Sequence, residues 1–134
     1  MQMVYDRIDQ LIKSEGWGLM NKLLLKLEGL TVVITCIYFY AHHDYSWLTF
    51  FLLLLVPDLS MLGYLFGKNA GAIAYNIFHT YLWPMAFILI SLAVGIEALL
   101  MYGFIWGAHI GMDRMLGYGL KYPTDFKDTH LQRV

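Results

Sequence analysis

Six polar side chains interrupt long apolar runs in the middle of this chain: Glu28, Asp58, Asn76, His79, His109 and Asp113. Arg114 follows the last of them. Carboxylates and imidazoles are the common oxygen and nitrogen ligands for divalent metals. The same groups serve as general acids, general bases and proton carriers. They also form purely structural hydrogen bonds between helices, though each such bond in a membrane is worth only roughly 0.6–2 kcal/mol. Ser, Thr or Asn would make those bonds at lower cost. Ionisable groups within apolar spans are expensive and so are candidates for function.

The elements that must position them follow from composition. The 134 residues are 59% hydrophobic and only 14% charged, and mean hydropathy is +0.55. Soluble domains carry about 45–50% apolar and roughly 25% charged residues. Disorder is excluded by the apolar content. Nucleic-acid binding is excluded by a net charge of -1 without a basic stripe. A lone cysteine, Cys36, excludes a disulfide scaffold and reads as a buried small apolar filler.

A spanning helix needs about 20 mostly apolar residues. Four segments qualify: Leu23 to Ala41, Ser46 to Phe66, Ala70 to Val94, and Ile96 to Leu116. Their connectors are short, so neighbours run antiparallel and an all-α, four-helix transmembrane bundle is expected. It occupies residues 20–134, including a C-terminal tail. Tyr38, Phe39 and Tyr40 close the first span as an interface belt, and no signal-peptide cleavage pattern follows. Residues 1–19 form a separate extension. There Val4, Ile8, Leu11 and Ile12 recur at helical spacing, which predicts an amphipathic helix lying in the interface, interrupted at Gly16 and Gly18.

All nine basic residues precede span one or sit in its first turn (Lys26), lie between spans two and three, or follow from the end of span four. The positive-inside rule then places both termini in the cytoplasm. Depth can be counted from the loops. Glu28 lies 16 residues before Asp44, and Asp58 lies 14 after it. Asp58 is 10 before Lys68 and His79 is 11 after it; His79 is 16 before Gly95 and His109 is 14 after it. At about 1.5 Å per residue, Glu28, Asp58, His79 and His109 share one layer, with Asn76 and Asp113 about one turn nearer the cytoplasm. His109 and Asp113 share a face at i,i+4, and so do Asn76 and His79 at i,i+3. Glu97 starts span four at the outer interface and is set aside. Pro57 and Pro84 each deprive a carbonyl of its partner and should kink their helices.

The resulting set is close to a bundle metal site. Asp58, His79, His109 and Asp113 are the expected ligands of a divalent ion, zinc or iron or manganese. Glu28 or His130 would act as base or extra ligand, and Asn76 and Arg114 complete the polar cluster. Such an ion would activate water against a lipid-like substrate. The alternative is a non-enzymatic protein, transporter-like, a proton relay or an assembly module, whose cluster is a structural network or a proton or ion path; a pore would require a homo-oligomer. The tail, with Tyr118, Tyr122 and Phe126, is either solvated or a lid over the bundle mouth. As a lid it would bring Asp125, Asp128 and His130 towards the cluster, with Arg114, Lys121 and Lys127 available for phosphate.

Several stretches are specific: Leu27-Glu28-Gly29, Pro57-Asp58-Leu59-Ser60-Met61-Leu62-Gly63-Tyr64, Tyr75-Asn76 with His79-Thr80-Tyr81, Ala108-His109-Ile110-Gly111-Met112-Asp113-Arg114, and Gly117 to Tyr122 with Thr129-His130-Leu131. On these the chain, from near Met20, resembles a family of small bacterial four-helix membrane proteins catalogued as domain of unknown function 4260. The resemblance implies the fold and a membrane location, and no activity; from the sequence as a whole, the bacterial inner membrane is expected. Pro57-Asp58 and His79-Thr80 also loosely resemble bacterial inner-membrane metal-dependent hydrolases. Ser60 stands where those carry a second Asp, and their Arg and second His are absent, so only Asp58 and His79 match.

Overall fold

The structure, a computed structural model, describes residues 1–134 apart from the side chain of Gln2. Among the described residues it is all-α, with no strand beyond an isolated bridge between Lys121 and Thr129. Helix α1 covers Gln2–His42. Its 41 residues extend about 60 Å at 1.5 Å per residue, roughly twice the hydrocarbon thickness of a bilayer. The expected interruption at Gly16 and Gly18 is absent. An interior glycine costs a helix only about 1 kcal/mol, and the helix carries straight through both. Val4, Ile8, Leu11 and Ile12 are exposed, and at Gly16 no atom approaches within 4 Å of where a β-carbon would sit.

Helix α2, Trp47–Leu53, starts where Ser46 Oγ accepts from the Thr49 amide at 3.4 Å. It stops because Pro57 has no N–H for the Leu53 carbonyl. The chain continues as a 3₁₀ helix over Val56–Phe66. Such runs rarely exceed 3–4 residues, and long ones mark strain or function. Helix α3, Lys68–Phe78, ends at His79, and α4, Leu82–Val94, begins after a short break. Pro84 sits in the first turn of α4, where a missing N–H removes no intrahelical bond. The two expected kinks are therefore outright breaks, each just before its proline.

Helix α5, Glu97–Leu116, lies at the centre, packed against α1 and α4. Close approach is set by glycine. A methyl at Gly29 would lie 2.6 Å from the Met115 amide nitrogen, and one at Gly111 would lie 2.8 Å from the Gly29 carbonyl oxygen. Here the α1 and α5 backbones touch, as small residues allow between apolar helices. Tyr40, Phe50, Leu100, Phe104 and Ile105 form the core at the other end of the bundle. Tyr45 donates to Glu97 across two loops at 2.5 Å. Lys68 donates to the Thr124 carbonyl at 3.3 Å, joining the remaining loop to the tail. Helix α6, His130–Arg133, ends the chain.

Three segments are long and apolar enough to cross a membrane: Met3–His42, Trp47–Phe66 and Lys68–Val94. The expected fourth, α5, has the length but not the composition, since it carries Glu97, His109, Asp113, Arg114 and three glycines. It is also the most enclosed helix. The distribution of polarity is inverted relative to a water-soluble domain. Leu48 is 71% exposed and Leu65 81%, whereas His79 and His109 are 0% exposed.

Candidate metal centre

The breaks in the helices create the site. Asp58 lies in the first turn of the 3₁₀ segment, and His79 caps the C-terminus of α3. His109 and Asp113 face inward from α5, one turn apart. A helix end inside an apolar bundle leaves carbonyls that must be satisfied. Trp83 Nε1 donates to the Ile77 carbonyl at 2.8 Å, Trp106 Nε1 to Phe78 at 2.8 Å, and Arg114 Nη2 to His79 at 2.9 Å. Three side chains thus hold open the gap from which His79 projects.

The four side chains converge on one point. His79 Nε2 lies 3.2 Å from Asp58 Oδ1 and 3.5 Å from Asp113 Oδ2. His109 Nε2 lies 3.5 Å from Asp58 Oδ1 and 3.8 Å from Asp113 Oδ2. The two Nε2 atoms are 3.1 Å apart, and one ligand atom from each of the four residues falls within 4.8 Å of every other. Bonds of 2.0–2.2 Å to a tetrahedral ion imply ligand–ligand edges of about 3.3–3.6 Å. The observed spacings bracket that range.

The hydrogen bonding around His79 fixes which nitrogen faces in. His79 Nδ1 lies 2.9 Å from the Tyr75 carbonyl, which can only accept. Nδ1 therefore carries the proton, and a neutral ring turns the Nε2 lone pair towards the cluster. That lone pair meets two carboxylate oxygens, so the centre is rich in acceptors that a cation or a shared proton would satisfy. Tyr75 contributes twice more. Its ring stacks on His79 at 3.6 Å between centroids, and its hydroxyl donates to Asp113 Oδ2 at 2.8 Å. His109 Nδ1 is buried without a hydrogen-bond partner among the described residues.

Other expected site residues lie elsewhere. Glu28 is exposed on α1. Its neighbour Gly29 faces α5, and the next residue on a helix points about 100° away. His130 is engaged in the tail, where its Nδ1 accepts from the Leu120 amide at 2.8 Å. Asn76 binds the tail too, donating to the Lys121 carbonyl at 2.9 Å and accepting from the Lys121 amide at 2.6 Å. Arg114 braces the α3 end and reaches the Tyr118 carbonyl at 2.8 Å. Sequence reasoning missed Tyr75, whose i,i+4 spacing to His79 was a readable signal, and the bracing pair Trp83 and Trp106.

The tail folds back over this end of the bundle. The Tyr122 amide donates to the Asp128 carbonyl at 2.9 Å, and the His130 amide to the Leu120 carbonyl at 2.9 Å, closing it into a hairpin-like loop. Asp128 pairs with Arg133 and accepts from Thr124, which hold its carboxyl down at about 2. Burial pulls the His130 imidazole below its ordinary range. Neither Asp125 nor Asp128 is in the cluster. Lys121 reaches inward from the tail, 6% exposed, its ammonium over the rings of Phe126, Tyr75 and Tyr64 at 3.2, 4.4 and 5.5 Å. Burial lowers its pKa, and the Asp113 and Asp58 charges oppose that fall.

Membrane-length helices with apolar side chains outward and ionisable ones inward define the class: an all-α protein built like a membrane protein, around a buried Asp/His group. Within that class the chain belongs to the family described as a domain of unknown function, DUF4260, which matches residues 22–134. No curated protein and no solved structure matches it.

Proposed function

We propose that this is a multi-pass protein of the bacterial inner membrane that holds one divalent ion between Asp58, His79, His109 and Asp113. The observation that carries the reading is the convergence of four ligand atoms, with His79 Nε2 freed for coordination by its Nδ1 bond to Tyr75. The ion is zinc, iron or manganese, and the protein is a metal-dependent enzyme or metal-binding protein for a lipid-like substrate. When bound, such an ion makes its water ligand a nucleophile near neutral pH. Asp58 and Asp113 line a cavity of about 400 Å³ beside the cluster, which gives a ligand access to it.

The membrane arrangement proposed is an antiparallel four-helix bundle with both termini cytoplasmic. Two ties favour it: Tyr45 to Glu97 at one end, and Lys68 to Thr124 at the other. Helix α5 crosses as well, its polar groups shielded by the helices around it. The N-terminal third of α1 then projects on the cytoplasmic side.

A second reading is supported by the 3.1 Å contact between the histidines. A proton shared there would make the cluster a structural network or a proton relay. Loading separates the two. Protein freed of metal is titrated with zinc, iron(II) and manganese(II) in turn, against a competing chelator. The metal reading expects one site per chain. Absence of saturable binding for all three ions favours the proton-sharing network.

A further inference from the structure

The cavity beside the cluster has a second charged wall. Asp58 and Asp113 lie on one side, and Lys121 and Lys127 of the tail on the other, with Tyr118 and Gln132 among the remaining lining groups. Lys121 is unusual. Its side chain is more than nine-tenths buried, yet its ammonium has no hydrogen bond or ion pair among the described residues. Aromatic faces stabilise a cation without supplying an oxygen acceptor. The ammonium is therefore held in place by Phe126, Tyr75 and Tyr64 with no anionic or oxygen partner among the described residues.

Charge accounting then identifies the ligand class. With neutral histidines, Asp58 and Asp113 balance Lys121 and Lys127, and the cavity is neutral overall. A divalent ion at the cluster neutralises the two carboxylates and leaves the cavity at about +2, in a site where partial burial weakens screening. A strongly cationic cavity, open on one side to an ion and on the other to a buried ammonium, is complementary to a compact dianion.

We infer that the cavity binds a phosphate group, set between the metal centre and Lys121, so that the substrate or ligand is a phosphomonoester. This rests on the metal reading above. The tail is then the specificity element, and the order of binding is metal before phosphate. By linkage, phosphate must tighten metal binding by the same factor that metal tightens phosphate.

The test uses full-length detergent-solubilised protein, with metal content measured in every sample. Inorganic phosphate, dihexanoyl phosphatidic acid and neutral dihexanoyl glycerol are titrated calorimetrically. Metal-loaded protein is expected to bind a phosphate-bearing probe and not the glycerol. Binding should weaken about tenfold or more in Lys121→Met, which keeps an apolar stem within the aromatic cage, while metal content is unchanged. Lys127→Ala, on the exposed side of the cavity, should weaken it less and keeps the test open if Lys121→Met misfolds. Binding of phosphatidic acid alone assigns the phosphate to a lipid headgroup, whereas binding of both probes assigns a site for free phosphate as well. Loaded protein that binds neither, or substitutions that leave phosphate affinity unchanged, overturns the inference and leaves the metal centre standing. Protein that takes up no metal overturns both.

Discussion

His79 owes its inward-facing lone pair to one carbonyl and one ring. The Tyr75 carbonyl takes the proton of Nδ1, and the Tyr75 hydroxyl donates to Asp113. A single residue one turn upstream therefore orients two of the four proposed ligands. Partners of this kind typically change metal affinity by about 10–100-fold. Tyr75→Phe keeps the stack and the carbonyl and loses only the bond to Asp113. Its metal affinity, read by chelator competition, should fall within that range, while stoichiometry stays at one ion. An unchanged affinity would show that Asp113 needs no such support. Lys121 illustrates the opposite case: a charged group buried by its own tail, invisible to counting along the spans because it lies outside all of them.

Helix breaks, rather than helix depth, bring the ligands together. Counting from the loops correctly places Asp58, His79 and His109 near one layer. It puts Glu28 there as well, because depth carries no information about facing. Gly29 takes the face towards α5, so Glu28 turns outward. Asp113, counted one turn lower, reaches the same point as His109 because their side chains share a face. The sequence also carried the packing signal in Gly103, Gly107 and Gly111, one every four residues along α5. Two glycines of α1 provide a contrast. Gly29→Ala places a methyl 2.6 Å from backbone and should cost about 1–3 kcal/mol or more. Gly16→Ala meets nothing within 4 Å and should leave stability equal or raise it by up to about 1 kcal/mol. Thermal unfolding in detergent reads both. A neutral Gly29→Ala would contradict the close crossing of α1 and α5.

For the chain taken together, the apolar runs made the helical class legible and their boundaries nearly correct except at the start of the first, which the helix overruns to Gln2. The local conformation was not: neither the 3₁₀ run after Pro57 nor the uninterrupted α1 follows from periodicity, since both depend on what packs alongside. The tail, left between solvated and folded, is tied down by Asn76 through two hydrogen bonds to Lys121. Orientation rests on the sorting of nine basic residues to one side. Reporter fusions at residue 134 and within the loop at Asp44 should give opposite readouts, cytoplasmic for the first and external for the second. The same side for both would refute the antiparallel arrangement with four crossings.

The metal-centred function proposed for this protein, and the phosphate site built on it, depend on an ion at the cluster. Elemental analysis of protein purified without added metal or chelator addresses this directly, with Asp58→Ala, His79→Ala, Glu28→Ala and His130→Ala prepared in parallel. One divalent ion per chain is expected in the native protein and in the Glu28 and His130 variants, and none in the Asp58 and His79 variants. Native protein without stoichiometric metal under either oxidising or reducing conditions, or metal that survives loss of both Asp58 and His79, would contradict the assignment.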